Sequence, residues 1–174
     1  TGFQGEANVI NFQIRPDKLA EEMADYSRKL GQGIENLMNA GEIDTGVTPK
    51  HPVYQEDKLT LYRYETPEGV EPQEVPLLIV YALVNRPYMT DIQENRSTIR
   101  GLLETGQDVY LVDWGYPDGA DLSLSMDDYI NGYLDRCVDH ICEAHGVDSI
   151  NVLGICQGGT FSLCYSSLHP EKVR

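Results

Sequence analysis

The stretch Ile150-Asn151-Val152-Leu153-Gly154-Ile155-Cys156-Gln157-Gly158-Gly159-Thr160-Phe161 constrains this chain more than any other. It reads as a buried strand, a tight turn carrying one cysteine, and the start of a helix. Gly154 and Gly158 flank Cys156 at two residues on either side. Without a Cβ at those positions, strand and helix can approach closely. A turn of this kind lifts its central side chain above the strand end. The helix behind it aims the positive end of its dipole at the sulfur, which favours an anionic nucleophile. The competing reading is a plain glycine-rich turn holding an inert buried cysteine. The strand before the turn and the helix after it favour the nucleophile.

The rest of the chain supplies more strands and helices of the same kind. Leu77-Leu78-Ile79-Val80-Tyr81-Ala82-Leu83-Val84 is a continuous apolar run, the mark of a strand buried on both faces. Asn85-Arg86-Pro87-Tyr88 follows at its carboxyl end, where open α/β sheets bind ligands. Asp108 to Asp113 is the next buried strand and ends in Trp114-Gly115-Tyr116-Pro117-Asp118. Leu59 to Tyr64 alternate as an early, partly exposed strand. Helical spacing marks 95–105, a segment from Ser125 or Met126 to Ala144 with Tyr129, Ile130, Tyr133, Leu134, Val138 and Ile141 inward, and 158–168. Gly41, Gly46, Pro49 and Pro52 punctuate 40–57 as a loop, and 66–76 is a surface connection. From residue 59 this order predicts an α/β domain with a largely parallel sheet and right-handed crossovers.

Ahead of that domain, Leu19, Met23, Tyr26, Leu30, Ile34 and Leu37 recur at steps of three or four. They predict a helix over Pro16–Asn39, packed on its own domain or docking another protein. The expected organisation is a flexible arm at 1–15, a helix and loop at 16–58, and the domain proper at 59–174.

Composition then removes partner classes. A formal charge of −15 over 174 residues argues against nucleic acid and anionic membrane surfaces. No apolar run is long enough to span a bilayer, and no secretory signal is evident. The chain begins at Thr1 and not at methionine, which suggests processing or a fragment. Cys137, Cys142, Cys156 and Cys164 have no metal-binding spacing, and no metal or cofactor is expected. Cys137 and Cys164 read as buried free thiols and Cys142 as half-exposed, which fits a cytosolic setting. His51, His140 and His145 read as surface histidines.

Around Cys156 the pattern resembles the nucleophile elbow of the α/β-hydrolase fold, Gly-x-Ser-x-Gly, with cysteine for serine. Taken with Tyr81-Ala82-Leu83-Val84-Asn85-Arg86-Pro87-Tyr88-Met89-Thr90-Asp91 and Tyr110-Leu111-Val112-Asp113-Trp114-Gly115-Tyr116-Pro117-Asp118, it resembles the polyhydroxyalkanoate synthases. The likeness is closest to the catalytic subunit of the two-subunit, class III type, and runs from roughly Ile14 to Arg174.

That resemblance implies an enzyme polymerising 3-hydroxyacyl-coenzyme A, typically 3-hydroxybutyryl-coenzyme A, into an intracellular polyester. Cys156 would carry the acyl group as a thioester and release coenzyme A. The oxyanion would rest on the backbone N–H of Gln157 and of Val84, with Asn85 as neighbour; the competing reading of Val84 is a plain core valine. The resemblance also implies a companion subunit, contacted through residues 9–37, and a complex on cytoplasmic polyester granules. In this fold the catalytic acid and histidine follow the nucleophile. Here no Asp follows Cys156, and the single histidine after it is His169. The expectation is therefore a fold truncated after the elbow helix, inactive alone, with an exposed elbow-strand edge that favours a partner or self-association. Two other readings remain: a cysteine-elbow ester hydrolase, and a non-catalytic interaction or scaffold domain.

Overall fold

A computed structural model describes residues 15–39 and 45–174. The expected arm at 1–15 lies outside the described residues except for Arg15. The chain divides into two units, Thr1–Ile43 and Asp44–Arg174. In the first, α1 (Pro16–Asn39) forms where the periodicity predicts it, and none of its residues is buried.

In the second unit the elements in order are β1 (Lys50–Glu56), β2 (Leu59–Tyr64), β3 (Leu77–Val80), β4 (Asp91–Gln93), β5 (Arg96–Ser97), α2 (Thr98–Glu104), β6 (Val109–Asp113), α3 (Asp135–His145), β7 (Asn151–Gly154) and α4 (Gln157–Leu168). A π-helical stretch, Asp128–Leu134, leads into α3. The main sheet has the order β1-β2-β6-β3-β7, and β4-β5 form a separate two-stranded ribbon. Strand β3 lies parallel to both β6 and β7. Strands β1 and β2 are antiparallel additions at one edge. The sheet is thus mixed: a parallel centre built by helical crossovers, extended on one side by a hairpin. β1 corrects the loop expected at 40–57. It is an edge strand, and its Pro52 sits beside a register irregularity between Pro52 and Tyr54, as proline in a sheet requires.

Burial explains the centre. Leu78, Ile79 and Val80 of β3 and Leu111 and Val112 of β6 are fully buried, because both faces of the sheet are covered. One face meets α3 and α4 through Leu61, Leu78, Val80, Tyr110, Val112, Leu134, Val138, Ile141, Phe161 and Tyr165. The other meets α2 through Ile79, Ile99, Leu103, Val109 and Leu111. Each such aliphatic side chain contributes about 1.5–3 kcal/mol on burial. At the far side of β7, Val173 makes a parallel bridge to Ile150, and the Arg174 N–H donates to the Ile150 carbonyl.

Candidate active site

Strand β7 ends at Gly154, and α4 begins at Gln157; Cys156 is the hinge between them. Its φ of +57° and ψ of −128° put a non-glycine residue in strained backbone, and its side chain is exposed. The two glycines explain how the turn closes. A Cβ on Gly158 would lie 2.0 Å from the Val80 carbonyl oxygen, and one on Gly154 would lie 2.5 Å from the Gly159 Cα. Helix α4 therefore starts pressed against the ends of β3 and β7, with Cys156 lifted above both. The Ile155 N–H continues the ladder by donating to the Val80 carbonyl at 3.0 Å.

The segment after β3 lies beside this turn and is tied once to it and once to the end of β6. The Trp114 indole N–H, at the end of β6, donates to the Tyr81 carbonyl at 2.9 Å. The Leu83 N–H donates to the Gln157 side-chain Oε1 at 3.2 Å. Below the tethers, Trp114, Tyr129 and Phe161 pack as an aromatic cluster, edge-to-face about Trp114 and stacked between Tyr129 and Phe161. Neither the Val84 nor the Gln157 N–H has a hydrogen-bond acceptor among the described residues. The Val84 side chain is 81% exposed, so the core-valine reading does not hold. Arg86 stacks its guanidinium on the Tyr116 ring across the same rim.

The histidines lie elsewhere. His169 ends α4, shares a hydrogen bond of 2.8 Å with the Asn131 side-chain oxygen and packs on the Tyr165 ring. The twelve residues of α4 separate it from Cys156 by about 18 Å. His145 is no surface histidine. It shares a 2.8 Å hydrogen bond with the Tyr110 hydroxyl at the opposite end of the sheet, and burial lowers its pKa. His140 packs beside the Tyr54 ring, and His51 is exposed. Of the other thiols, Cys137 is fully buried and its pKa is pushed up to about 12 by desolvation, whereas Cys142 and Cys164 are half-buried. Cys164 thus departs from the expected full burial. Among the described residues no cluster of ligating side chains fits a metal ion, and no helix is long and apolar enough to cross a membrane.

Sequence reasoning singled out Cys156, Val84 and Gln157, and the fold brings all three to one end of the sheet. It missed the Gln157 side chain and Trp114 as tethers, because nothing in their spacing tells which backbone atoms they meet.

The chain is 74% identical over 161 residues to the poly(3-hydroxyalkanoate) polymerase subunit PhaC of Thiocystis violacea, covering 92% of this chain and 45% of that protein. It is 76% identical over 167 residues to the subunit of the same name from Allochromatium vinosum, covering 95% and 47%. The Synechocystis subunit is 52% identical over 164 residues, covering 93% and 43%. The chain thus spans about half the length of these curated relatives. A family model described as the alpha/beta hydrolase fold matches residues 75–174, which include β3, β6, the Cys156 turn and α4. With that match over more than half its length, the chain belongs to the α/β-hydrolase fold family.

Proposed function

We propose that the protein to which these residues belong is an acyltransferase that polymerises 3-hydroxyacyl-coenzyme A, with 3-hydroxybutyryl-coenzyme A the favoured substrate, into polyhydroxyalkanoate. The observation that carries this reading is Cys156. It is an exposed thiol on a strained turn, with the Gln157 and Val84 N–H groups, which have no acceptor among the described residues, close by in the fold. Similarity to polymerase subunits supports the choice of reaction.

In the first step the Cys156 sulfur attacks the acyl carbon of the coenzyme A thioester. The carbonyl oxygen becomes an oxyanion, held by the Gln157 and Val84 N–H groups. The bond from carbon to the coenzyme A sulfur then breaks, and coenzyme A leaves. In the second step the 3-hydroxyl of another acyl unit attacks the Cys156 thioester. A base takes its proton, the ester forms, and the Cys156 thiolate is released. Cysteine suits this cycle, because exchange between two thioesters is nearly isoenergetic and the acyl-enzyme stays reactive toward an alcohol. The base is expected to be a histidine paired with an acid, and His169 is held too far from Cys156 to serve. These 174 residues expressed alone are therefore expected to make no polymer.

The test is mass spectrometry of the full-length enzyme after brief exposure to 3-hydroxybutyryl-coenzyme A. A mass increase of one acyl unit on the peptide carrying Cys156, absent in Cys156→Ala, is expected. Turnover of simple esters without a trapped acyl group, or unchanged polymer formation by Cys156→Ala, would overturn the assignment.

A companion subunit is proposed to dock on residues 9–37. Residues 9–14 lie outside the described structure. On α1 the stripe Leu19, Met23, Tyr26, Leu30, Ile34 and Leu37 is about half or more exposed along its length. Such a stripe suits a helix-in-groove contact or self-association into a homo-oligomer. The complex would work at the surface of cytoplasmic polyester granules. Loss of co-purification on deleting residues 1–39 is the expected result, and retention would refute the docking site.

A further inference from the structure

The tethering of the segment after β3 assigns a second task to Gln157, and this inference rests on the acyl-transfer reading above. We propose that the Gln157 side chain is a positioning residue that sets the oxyanion cradle by clasping the Leu83 N–H.

The argument begins with what each backbone group in the segment is doing. The Tyr81 carbonyl is taken by the Trp114 indole, and the Leu83 N–H by Gln157 Oε1. The amide can accept from an N–H only through its oxygen, so this contact fixes the side-chain orientation of Gln157. Two fixed points only two residues apart leave the intervening peptides little freedom. The next N–H along the chain, that of Val84, is left without an acceptor among the described residues, as is that of Gln157 itself. Gln157 therefore offers one donor through its backbone and orients the other through its side chain. Both halves of the cradle are then referenced to a single residue, the one that follows the nucleophile.

The chemistry gives this clasp a measurable role. Oxyanion donors act on charge that develops only in the transition state, so their placement affects the chemical step more than substrate binding. Gln157 is half-buried at the first position of α4, so its side chain is not a core element whose loss would unfold the turn. A purely structural side chain at this position would change stability and leave the chemical step alone.

The experiment uses the full-length enzyme with its companion subunit. In Gln157→Met the side chain keeps its length and loses the acceptor; in Gln157→Asn the acceptor stays but falls one methylene short. Single-turnover release of coenzyme A is measured at saturating and subsaturating 3-hydroxybutyryl-coenzyme A, with the rate of Cys156 alkylation by iodoacetamide as a check on the turn. For both variants the maximal acylation rate is expected to fall about tenfold to a hundredfold, as for displaced catalytic groups. The substrate concentration at half-maximal rate and the alkylation rate should stay within about twofold of the parent, a change of under 0.5 kcal/mol. An unchanged acylation rate would overturn the proposal. So would a faster one, which would mean that Gln157 blocks the Leu83 N–H and that Leu83, not Val84, is the second donor. If the parent enzyme forms no Cys156 thioester at all, the acyl-transfer reading itself has failed, and that outcome is read separately by mass spectrometry.

Discussion

At the amino end of the parallel strands, polar groups are closed onto one another; at the carboxyl end, they are left open. Asp108, just before β6, is buried and takes the Arg63 guanidinium on both oxygens, at 3.0 and 2.6 Å. Beside it the Tyr110 hydroxyl and His145 share their hydrogen bond, and burial pushes the Tyr110 pKa up to about 12. Helix α3 is thereby pinned to β6 and β2. At the other end of these strands, Cys156 is exposed in strained backbone, and two neighbouring N–H groups have no acceptor among the described residues. The same strands carry both ends. The difference is that one end pairs its polar groups while the other leaves a thiol exposed and two donors without an acceptor among the described residues. Strain of this kind persists only where surrounding structure over-determines it, and here the close packing at Gly154 and Gly158 does so.

The contrast can be broken from either end, with effects of different size. The largest is expected from Gly158→Ala. The added methyl meets the Val80 backbone at 2.0 Å, and backbone cannot yield as a side-chain tip can. A loss of about 3 kcal/mol in urea unfolding is expected, together with loss of selective Cys156 alkylation. Unchanged stability would show that α4 does not need the close approach. Asp108→Asn attacks the other end. Loss of the charge breaks a bidentate pair, but Arg63 is partly exposed and solvent screens the remainder. The expected cost is about 2 kcal/mol, below the range for fully buried pairs. Cys156 alkylation should be unaffected, and a slowed rate would show that the two ends are coupled.

A smaller effect is expected from pH at His145. Burial, the largest cause, lowers its pKa below the ordinary 6.5, and Arg63 acts in the same direction against Asp108. The folded state thus binds this proton less readily than the unfolded state. The stability contributed by the neutral ring is complete above about pH 6.5 and is lost as pH falls below it. His145→Gln should flatten this part of the stability–pH profile, measured by thermal unfolding between pH 7.5 and 5 on the scale set by the ordinary His titration. A profile equally steep in the variant would assign the dependence to other groups.

Where reasoning from residues succeeded, the cause is burial on both sides. β3 and β6 announce themselves as unbroken apolar runs, and α3 as a stripe with the right period. The stripe did not disclose that its first turns, 128–134, are π-helical, because Ile130, Tyr133 and Leu134 face inward in either geometry. β1 was illegible for the opposite reason. Lys50-His51-Pro52-Val53-Tyr54-Gln55-Glu56 is an edge strand, mostly exposed or half-exposed, and its pattern carries little apolar alternation. His145 reads as a surface residue from its place at the end of a helix, whereas its ring turns inward to Tyr110.

The candidate site divides along the same line. Sequence by itself determined the cysteine, the two glycines that flank it and the strand–turn–helix order, because these are local demands on backbone and Cβ. Only the tertiary structure decided that Leu83 gives its N–H to Gln157 and Tyr81 its carbonyl to Trp114, and so which N–H groups have no acceptor among the described residues. Those pairings join residues 74 and 33 positions apart. No local pattern encodes such a meeting, because it depends on how β3, β6 and β7 align in the sheet.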